Sequence, residues 1–195
     1  MFTSLLRCPV CQTHGSGPDG CCPACAASLF DPHSDETTLS LGVYGGKLER
    51  AVRAYKFHHV RRLGALFGGA LAESLAGLAW PLDIVCAVPL HPVRFMQRGY
   101  NQAALVGQVA AKRLDLPYRP LLRCVRRTRQ QAKLGGEARQ GNVSGAFQAQ
   151  PLSGERVLLI DDVMTSGATL TECALELFRG GAGRVYLATL AHAER

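Results

Sequence analysis

The sequence has few aromatic residues and little charge, and it contains no long low-complexity stretch. Of its 195 residues, 7% are aromatic, 19% are charged and 47% are hydrophobic. This composition excludes a disordered or fibrous chain and is typical of an ordinary globular protein. A chain of this length is expected to form one domain, or one domain with a small appendage. No internal repeat is visible.

Signals for export and for membrane insertion are also missing. The first residues, MFTSLLRCPVC, lack the basic start and the apolar run of about 7 to 15 residues found in secretory signals, so we expect a cytoplasmic protein. The longest apolar stretch, residues 63–80, approaches transmembrane length. It contains Glu73, Ser74 and four glycines, which are poorly placed in hydrocarbon. We therefore expect a buried helix and no membrane insertion.

After residue 38, strand-like and helix-like patterns alternate along the chain. The patterns predict strands at 39–44, 83–88, 157–160 and 184–190, and helices at 47–57, 63–80, 101–114 and 169–178. This alternation predicts an α/β fold with a mostly parallel sheet covered by helices on both faces. Turn-forming residues at 31–38 predict a linker between two domains, residues 1–38 and residues 39–195.

Five of the eight cysteines lie within the first 25 residues. Four of them form two Cys-x-x-Cys pairs separated by ten residues, a pattern that suits tetrahedral Zn²⁺: Cys8, Cys11, Cys22 and Cys25. Disulfides are the alternative, and the missing secretion signal argues against them. Cys21 is a surplus thiol and His14 could replace one ligand, so the ligand set stays open. A zinc-held module of this size is expected to dock to protein or DNA.

The other three cysteines, Cys86, Cys124 and Cys173, are isolated in the sequence. They are expected to be small core residues.

The segment VLLIDDVMTSGAT, residues 157–169, combines a buried strand with groups that suit a ribose phosphate. Asp161 and Asp162 follow the strand, where ligands of α/β sheets bind, and adjacent carboxylates match the two hydroxyls of a ribose. The next residues turn into a helix whose backbone N–H groups can hold a phosphate: Thr165, Ser166, Gly167, Ala168 and Thr169. The alternative is a simple turn and helix cap. No GxxxxGK[ST] motif of a Walker-type site is present.

This segment resembles the phosphoribosyl pyrophosphate (PRPP) motif of type I phosphoribosyltransferases. The resemblance implies that Asp161 and Asp162 are catalytic residues holding the ribose hydroxyls, and that residues 165–169 hold the 5′-phosphate. It also implies Mg²⁺ bound with PRPP. Such an enzyme must hold pyrophosphate, and the best candidates follow the strand at 83–88: Pro89, Leu90, Arg94 and Arg98. The alternative is that both arginines are surface residues. His91, between two prolines, is interpreted as a turn residue.

Positive charge is concentrated between Arg119 and Arg139, with seven Lys or Arg against one acid, within a chain of net charge +7. This predicts an anionic partner, either a polyphosphate or a nucleic acid, with a solvated basic face as the alternative. Four glycines between residues 135 and 145 indicate a mobile loop. No aromatic residue lies between residues 119 and 145, so base stacking by this segment is weakly supported.

Three motifs in order, VPLHPVRFMQRGYNQA, RTRQQAKLGGEARQGNVSGAF and the PRPP motif, resemble the ComF family, which is linked to DNA uptake in natural competence. The matching positions are Arg98 to Gln102, Thr128, Gln131, Leu134, Arg139, Asn142 and Phe147. The resemblance implies a type I phosphoribosyltransferase fold with a small zinc-ribbon-like module containing structural Zn²⁺. It also implies that the basic segment is a hood over bound PRPP, with hood residues Gln131, Arg139 and Asn142.

Two functions follow from this resemblance. One is a phosphoribosyltransferase that uses PRPP and Mg²⁺ on an unidentified acceptor. The other is a non-enzymatic competence factor that binds PRPP or a nucleotide and contacts single-stranded DNA or a competence-machinery protein. The intact acidic pair supports ligand binding in both cases.

Overall fold

The computed structural model describes residues 7–13, 15–126 and 144–194. In chain order its elements are α1 (Pro23–Ala26), β1 (His33–Ser34), β2 (Thr38–Ser40), α2 (Gly46–Phe57), α3 (Leu63–Ala76), β3 (Ile84–Ala87), α4 (Pro92–Arg98), α5 (Gln102–Arg113), β4 (Leu122–Cys124), β5 (Phe147–Ala149), β6 (Arg156–Met164), α6 (Ala168–Arg179) and β7 (Arg184–His192). The predicted hood residues Gln131, Arg139 and Asn142, together with His14, lie outside the described residues.

The centre of the protein is a five-stranded sheet in the order β1-β2-β7-β6-β3. Strands β2, β7, β6 and β3 run parallel, and β1 pairs antiparallel with β2 at the edge. Strands β4 and β5 form a separate antiparallel pair. The predicted α/β architecture with a mostly parallel sheet is therefore confirmed.

Helices cover both faces of this sheet. This explains why residues 157–160 of β6 are all apolar. Leu158 and Ile160 face a core shared with α2, α3 and α5. Val157 and Leu159 face a second core built with α6 and the β4–β5 pair. All four side chains are fully buried. A strand buried on both sides has no polar positions until it reaches the edge of the sheet, where Asp161 begins the site.

The predicted helices are present, and none of their ends is shifted by more than four residues. The apolar stretch at 63–80 forms α3, which ends at Ala76. Within the described parts of the chain, no helix has the length and hydrophobicity needed to cross a bilayer. Asn101 caps α5 as predicted, since its side chain accepts a hydrogen bond from the backbone N–H of Ala104.

Five short elements were not apparent from the sequence: α1, β1, α4, β4 and β5. Each strand of the β4–β5 pair has three residues, and the two lie 22 residues apart in sequence, so neither carries a periodic pattern. Helix α1 has only four residues and β1 only two. Helix α4 has seven residues and none of them is buried, so it has no stripe that faces the core.

The N-terminal residues pack against the rest of the chain. Strand β1, inside the predicted linker, pairs with β2 through His33 and Ser40. Four of the N-terminal cysteines are buried in the same core as α2 and α3. Residues on the two sides of the predicted boundary thus share a sheet and a core. The division into domains 1–38 and 39–195 stays a prediction.

Candidate functional site

A cleft of 380 Å³ lies at the carboxyl ends of β3 and β6, where α4 and the start of α6 form its walls. It brings together nearly all of the predicted ligand-binding residues: Asp161, Asp162, Thr165, Gly167, Ala168, Thr169, Pro89, Leu90, Arg94 and Arg98. Ser166 lines an adjacent cleft together with His192. Because parallel strands end at the same edge of the sheet, segments some 70 residues apart meet here.

The two carboxylates are held in place by the backbone that follows them. The N–H of Asp162 donates to Asp161 Oδ1 at 2.8 Å, and the N–H of Val163 donates to Asp162 Oδ1 at 2.7 Å. Strand β6 remains paired with β7 past this point, to Met164. Each carboxylate thus has its Oδ1 atom fixed by a backbone donor, which leaves the Oδ2 atoms to accept hydrogen bonds from a ligand.

Lys56 is part of the site, and sequence reasoning missed it. Its Nζ lies 2.8 Å from Asp162 Oδ1, and both side chains are only 16% exposed. Lys56 also lines the cleft. In the sequence it is one of several cations on the amphipathic helix α2, and no local signal separates it from a solvated lysine.

The environment of the acidic pair changes its protonation. Burial, together with the charge of Asp162, raises the pKa of Asp161 from 3.8 to about 7. The hydrogen bond from the N–H of Asp162 and the cations Lys56 and Arg94 oppose this increase without cancelling it. The pair therefore carries a proton more readily than two isolated aspartates do, and a cation or hydrogen-bond donor that binds there favours its release.

The loop after β6 turns into α6 through a left-handed residue, Gly167, with φ of 74°. Residues with a Cβ are strained in this conformation, which explains glycine at this position. The N–H of Thr171 donates to the carbonyl of Gly167 at 2.8 Å, so the helix begins directly after the loop. Its first N–H groups are available to an anion. Ser166 Oγ is buried and has no hydrogen-bond partner among the described residues, as expected if this hydroxyl serves a ligand.

Helix α4 carries the two predicted pyrophosphate arginines. The backbone N–H of Val93 donates to His91 Nδ1 at 3.2 Å, so His91 is the N-cap of α4. His91 therefore lies in the non-helical connection before α4, in agreement with its interpretation as a turn residue, and it also lines the cleft. Arg98 donates to Gln102 Oε1 at 3.1 Å, which holds its guanidinium at the cleft. Burial and the neighbouring Arg98 charge lower the pKa of Arg94, although a guanidinium stays charged at neutral pH.

The isolated cysteines behave differently from one another. Cys86 and Cys173 are fully buried in the core, as expected. The expectation that Cys124 is a core residue is wrong, because Cys124 is half-buried and lines the cleft. Its position at the end of β4 places it there.

The N-terminal cysteines gather into one cluster. The sulfur atoms of Cys8, Cys11, Cys22 and Cys25 all lie within 4.8 Å of one another. Cys11 Sγ and Cys22 Sγ are 3.8 Å apart. Zinc–sulfur bonds of about 2.3 Å in a tetrahedron require sulfur separations of about 3.8 Å, so the cluster fits Zn²⁺. All eight cysteines lie in described parts of the chain, and none of them forms a disulfide.

Cys21 does not belong to this four-sulfur set. Its sulfur lies 3.8 Å from Cys8 Sγ, so it sits beside the cluster as a surplus thiol.

Comparison with known proteins gives the relationship of the whole chain. The chain is 30% identical over 186 residues to DNA utilization protein YhgH from Salmonella typhimurium, covering 91% of this chain and 80% of the relative. It is 30% identical over 196 residues to competence protein F from Haemophilus influenzae, covering 95% of this chain and 85% of the relative. The chain belongs to the ComF family. No protein-family model matches it.

This ComF-family chain has the predicted α/β fold class, with a mostly parallel sheet, helices on both faces, a cleft at the strand ends and a cysteine cluster at its N-terminus. Among solved structures it is similar to glutamine PRPP amidotransferase from B. subtilis complexed with ADP and GMP. The identity is 21% and the TM-score 0.48, over 67% of this chain and 26% of that chain.

Proposed function

We propose that this ComF-family protein binds PRPP with Mg²⁺ in the cleft and transfers the phosphoribosyl group to an acceptor. The observation that carries the proposal is the geometry of the acidic pair. Asp161 and Asp162 each have one oxygen fixed by a backbone N–H. They share the cleft with the loop that leads into α6 and with two arginines of α4, Arg94 and Arg98. A ribose diol, a phosphate monoester and a diphosphate are the three groups that these surfaces suit.

In this binding mode the ribose hydroxyls donate to Asp161 and Asp162. The 5′-phosphate lies against the loop at residues 165–169, where backbone N–H groups and the Ser166 hydroxyl can donate to it. The diphosphate lies along α4, where Arg94 and Arg98 neutralise its charge through paired hydrogen bonds. The hood residues Gln131, Arg139 and Asn142 are proposed to cover the ligand and exclude water.

The acidic, oxygen-rich end of the cleft fits a hard cation, and Mg²⁺ bound with PRPP would neutralise pyrophosphate oxygens next to the ribose hydroxyls. The protein itself holds the two ends of the ligand. As the bond between C1 and the pyrophosphate oxygen breaks, both electrons leave with pyrophosphate and C1 becomes electron-poor. The carboxylates that hold the ribose hydroxyls stabilise this charge, and the acceptor adds at C1 and passes its proton to the released pyrophosphate or to solvent. Positioning and electrostatics suffice, and no protein nucleophile is required.

The proposal is tested by ligand-dependent thermal stability. Mg²⁺ and PRPP together are expected to raise the melting temperature of the wild type, because a ligand that binds only the folded state stabilises it. The double variant Asp161→Asn, Asp162→Asn is expected to lose this increase. Absence of a PRPP-dependent increase in the wild type would contradict the central claim. Turnover is measured separately, as pyrophosphate release from PRPP in the presence of a metabolite pool.

A second candidate function is that of a non-enzymatic factor that binds PRPP or a nucleotide and contacts single-stranded DNA or a competence-machinery protein. It is supported by exposed apolar side chains beside the cleft: Phe57 is 58% exposed, Phe95 50% and Met96 76%. The Arg98 guanidinium lies 5.4 Å from the centre of the Phe57 ring. Aromatic rings beside cations are suited to stacked bases, and the similar proteins are named for DNA utilization and competence.

The two candidates give different results. PRPP binding without pyrophosphate release, together with salt-dependent binding of a single-stranded oligonucleotide that Phe57→Ala weakens, supports the second. Pyrophosphate release that depends on an acceptor supports the first.

A further inference from the structure

Lys56 occupies a position that a solvated lysine would not take. Its side chain is 16% exposed, and its ammonium group meets Asp162 Oδ1 at 2.8 Å. Lysine is among the residues least often buried, because removing its charge from water is costly unless a partner compensates. The ion pair compensates for this cost and at the same time fixes the ammonium group at the wall of the cleft.

Helix α2 holds Lys56 rigidly at this place. Tyr55, the preceding residue, is fully buried and donates from its hydroxyl to the carbonyl of Gln102 at 2.9 Å. The hydroxyl of Tyr100 in turn donates to the carbonyl of Tyr55. These bonds tie the end of α2 to the start of α5. A cation held by such a frame is positioned before any ligand arrives, which lowers the entropy lost on binding.

Lys56 also shares the cleft with the two arginines of α4, Arg94 and Arg98. The next residue, Phe57, has the Arg98 guanidinium 5.4 Å from its ring centre. Lys56, Arg94 and Arg98 line the same cleft as the two aspartates. The cleft therefore contains three cations together with the acidic pair.

The hydrogen-bond capacity of these groups shows what Lys56 can still do. Asp162 Oδ1 already accepts from the N–H of Val163 and from Lys56, which uses both of its lone pairs. A ribose hydroxyl must therefore use Oδ2. An ammonium group has three hydrogens, and the bond to Asp162 uses one. The other two remain for an anion that lies next to the ribose.

We propose that Lys56 is a third cation of the pyrophosphate subsite, holding Asp162 while donating its remaining hydrogens to a phosphoryl oxygen of the ligand. The inference rests on the proposed function, since PRPP places its diphosphate on the carbon next to the ribose 2′-hydroxyl. It assigns Lys56 two contacts, and each contact affects a different part of the ligand. The two parts can be tested separately with inorganic pyrophosphate and ribose 5-phosphate.

The experiment compares wild type and Lys56→Met by isothermal titration with three probes: PRPP, inorganic pyrophosphate and ribose 5-phosphate, each with Mg²⁺. Loss of a hydrogen bond to a charged group is expected to weaken PRPP and pyrophosphate binding by about tenfold to a hundredfold. Ribose 5-phosphate binding is expected to change by less than about threefold, because the backbone N–H of Val163 still holds Asp162. Arg53→Met removes a cation that is 61% exposed on the same helix and serves as the matched control.

Other outcomes overturn the inference. If Lys56→Met weakens ribose 5-phosphate as much as PRPP and leaves pyrophosphate unchanged, Lys56 acts only on Asp162. If all three affinities are unchanged, Lys56 binds no ligand. If Lys56→Met does not fold, Lys56→Gln replaces it: the amide can still donate to Asp162 but lacks the charge, and it is expected to lose pyrophosphate affinity selectively.

The same titrations distinguish failure of the proposed function from failure of the inference about Lys56. A wild type that binds pyrophosphate but not PRPP contradicts the proposed function, and the pyrophosphate comparison still decides the role of Lys56. A wild type that binds neither overturns both.

Discussion

Replacing Asp161 by Asn is expected to stabilise the folded protein and, under the proposed function, to remove PRPP binding. In the folded state, burial and the charge of Asp162 raise the pKa of Asp161 from 3.8 to about 7. Each unit between the folded and unfolded pKa corresponds to about 1.36 kcal/mol, so ionised Asp161 destabilises the fold by up to about 4 kcal/mol. Asn carries no charge, and its oxygen can still accept the 2.8 Å hydrogen bond from the N–H of Asp162.

The sign of the pH dependence follows from proton binding. Between about pH 4 and pH 7, Asp161 keeps its proton in the folded state and loses it in the unfolded state, so the wild type loses stability as pH rises through this window. Asp161→Asn removes this loss. The stability gained by the variant is therefore smallest near pH 4, grows to pH 7 and is constant above it.

The assay is thermal or urea denaturation of wild type and Asp161→Asn from pH 4 to pH 8. For a chain of this size, 1 kcal/mol corresponds to about 2–4 °C, so the expected increase at pH 8 is several degrees and at most about 15 °C. Asp162→Asn is the matched control and is expected to destabilise the protein, because it leaves Lys56 half-buried without its partner. An Asp161→Asn variant that is less stable than wild type at pH 8, or whose gain does not depend on pH, refutes the reasoning.

Three further predictions concern other parts of the molecule. Gly167→Ala places a Cβ at φ of 74° with 3.9 Å to Met164 Sδ, so strain without a clash should lower the free energy of unfolding by about 1–2 kcal/mol, measured by urea denaturation. Metal analysis should find about one Zn²⁺ per chain and less in Cys8→Ser; an unchanged metal content would contradict the four-cysteine site. Arg156 makes a two-point ion pair that lowers the pKa of Asp83 to about 2; this stabilisation is present above about pH 4 and is lost as pH falls through about 2. Asp83→Asn should therefore show a weaker decline in melting temperature between pH 4 and pH 2 than wild type.

Asp161 also illustrates a conflict between stability and function. A buried pair of carboxylates is an unfavourable arrangement for the fold, and a neutral side chain at position 161 would relieve the repulsion without removing the ion pair of Asp162 with Lys56. The pair is useful to the extent that a ligand supplies hydroxyl donors and positive charge. Part of the binding free energy of such a ligand then comes from relief of this repulsion. The pH series measures how much the repulsion destabilises the folded state.

The elements that could be predicted from sequence are those with a strong local pattern. The apolar run of residues 157–160 is continuous because both faces of β6 are covered, and it is followed by Asp161 and Asp162 because the last part of β6 lines the cleft. The two Cys-x-x-Cys pairs predicted one cluster, since four thiolates at that spacing can surround one ion. Short elements such as β4, β5 and α4 were missed because three to seven residues are too few for a period to be recognised.

The acidic pair, the glycine-containing loop after it and the ComF resemblance could be recognised from the sequence alone. Each depends on short runs of neighbouring residues whose types and order are sufficient to identify them. Only the tertiary structure decided which distant residues join them. Lys56 meets Asp162 across more than a hundred positions, and Cys124 reaches the cleft from β4. Such contacts depend on how α2 and the strands pack, and packing is set by the whole core rather than by the residues around either partner. One continuous segment of sequence therefore contains the residues proposed to bind the ribose phosphate, whereas the charge balance of the cleft depends on the tertiary fold.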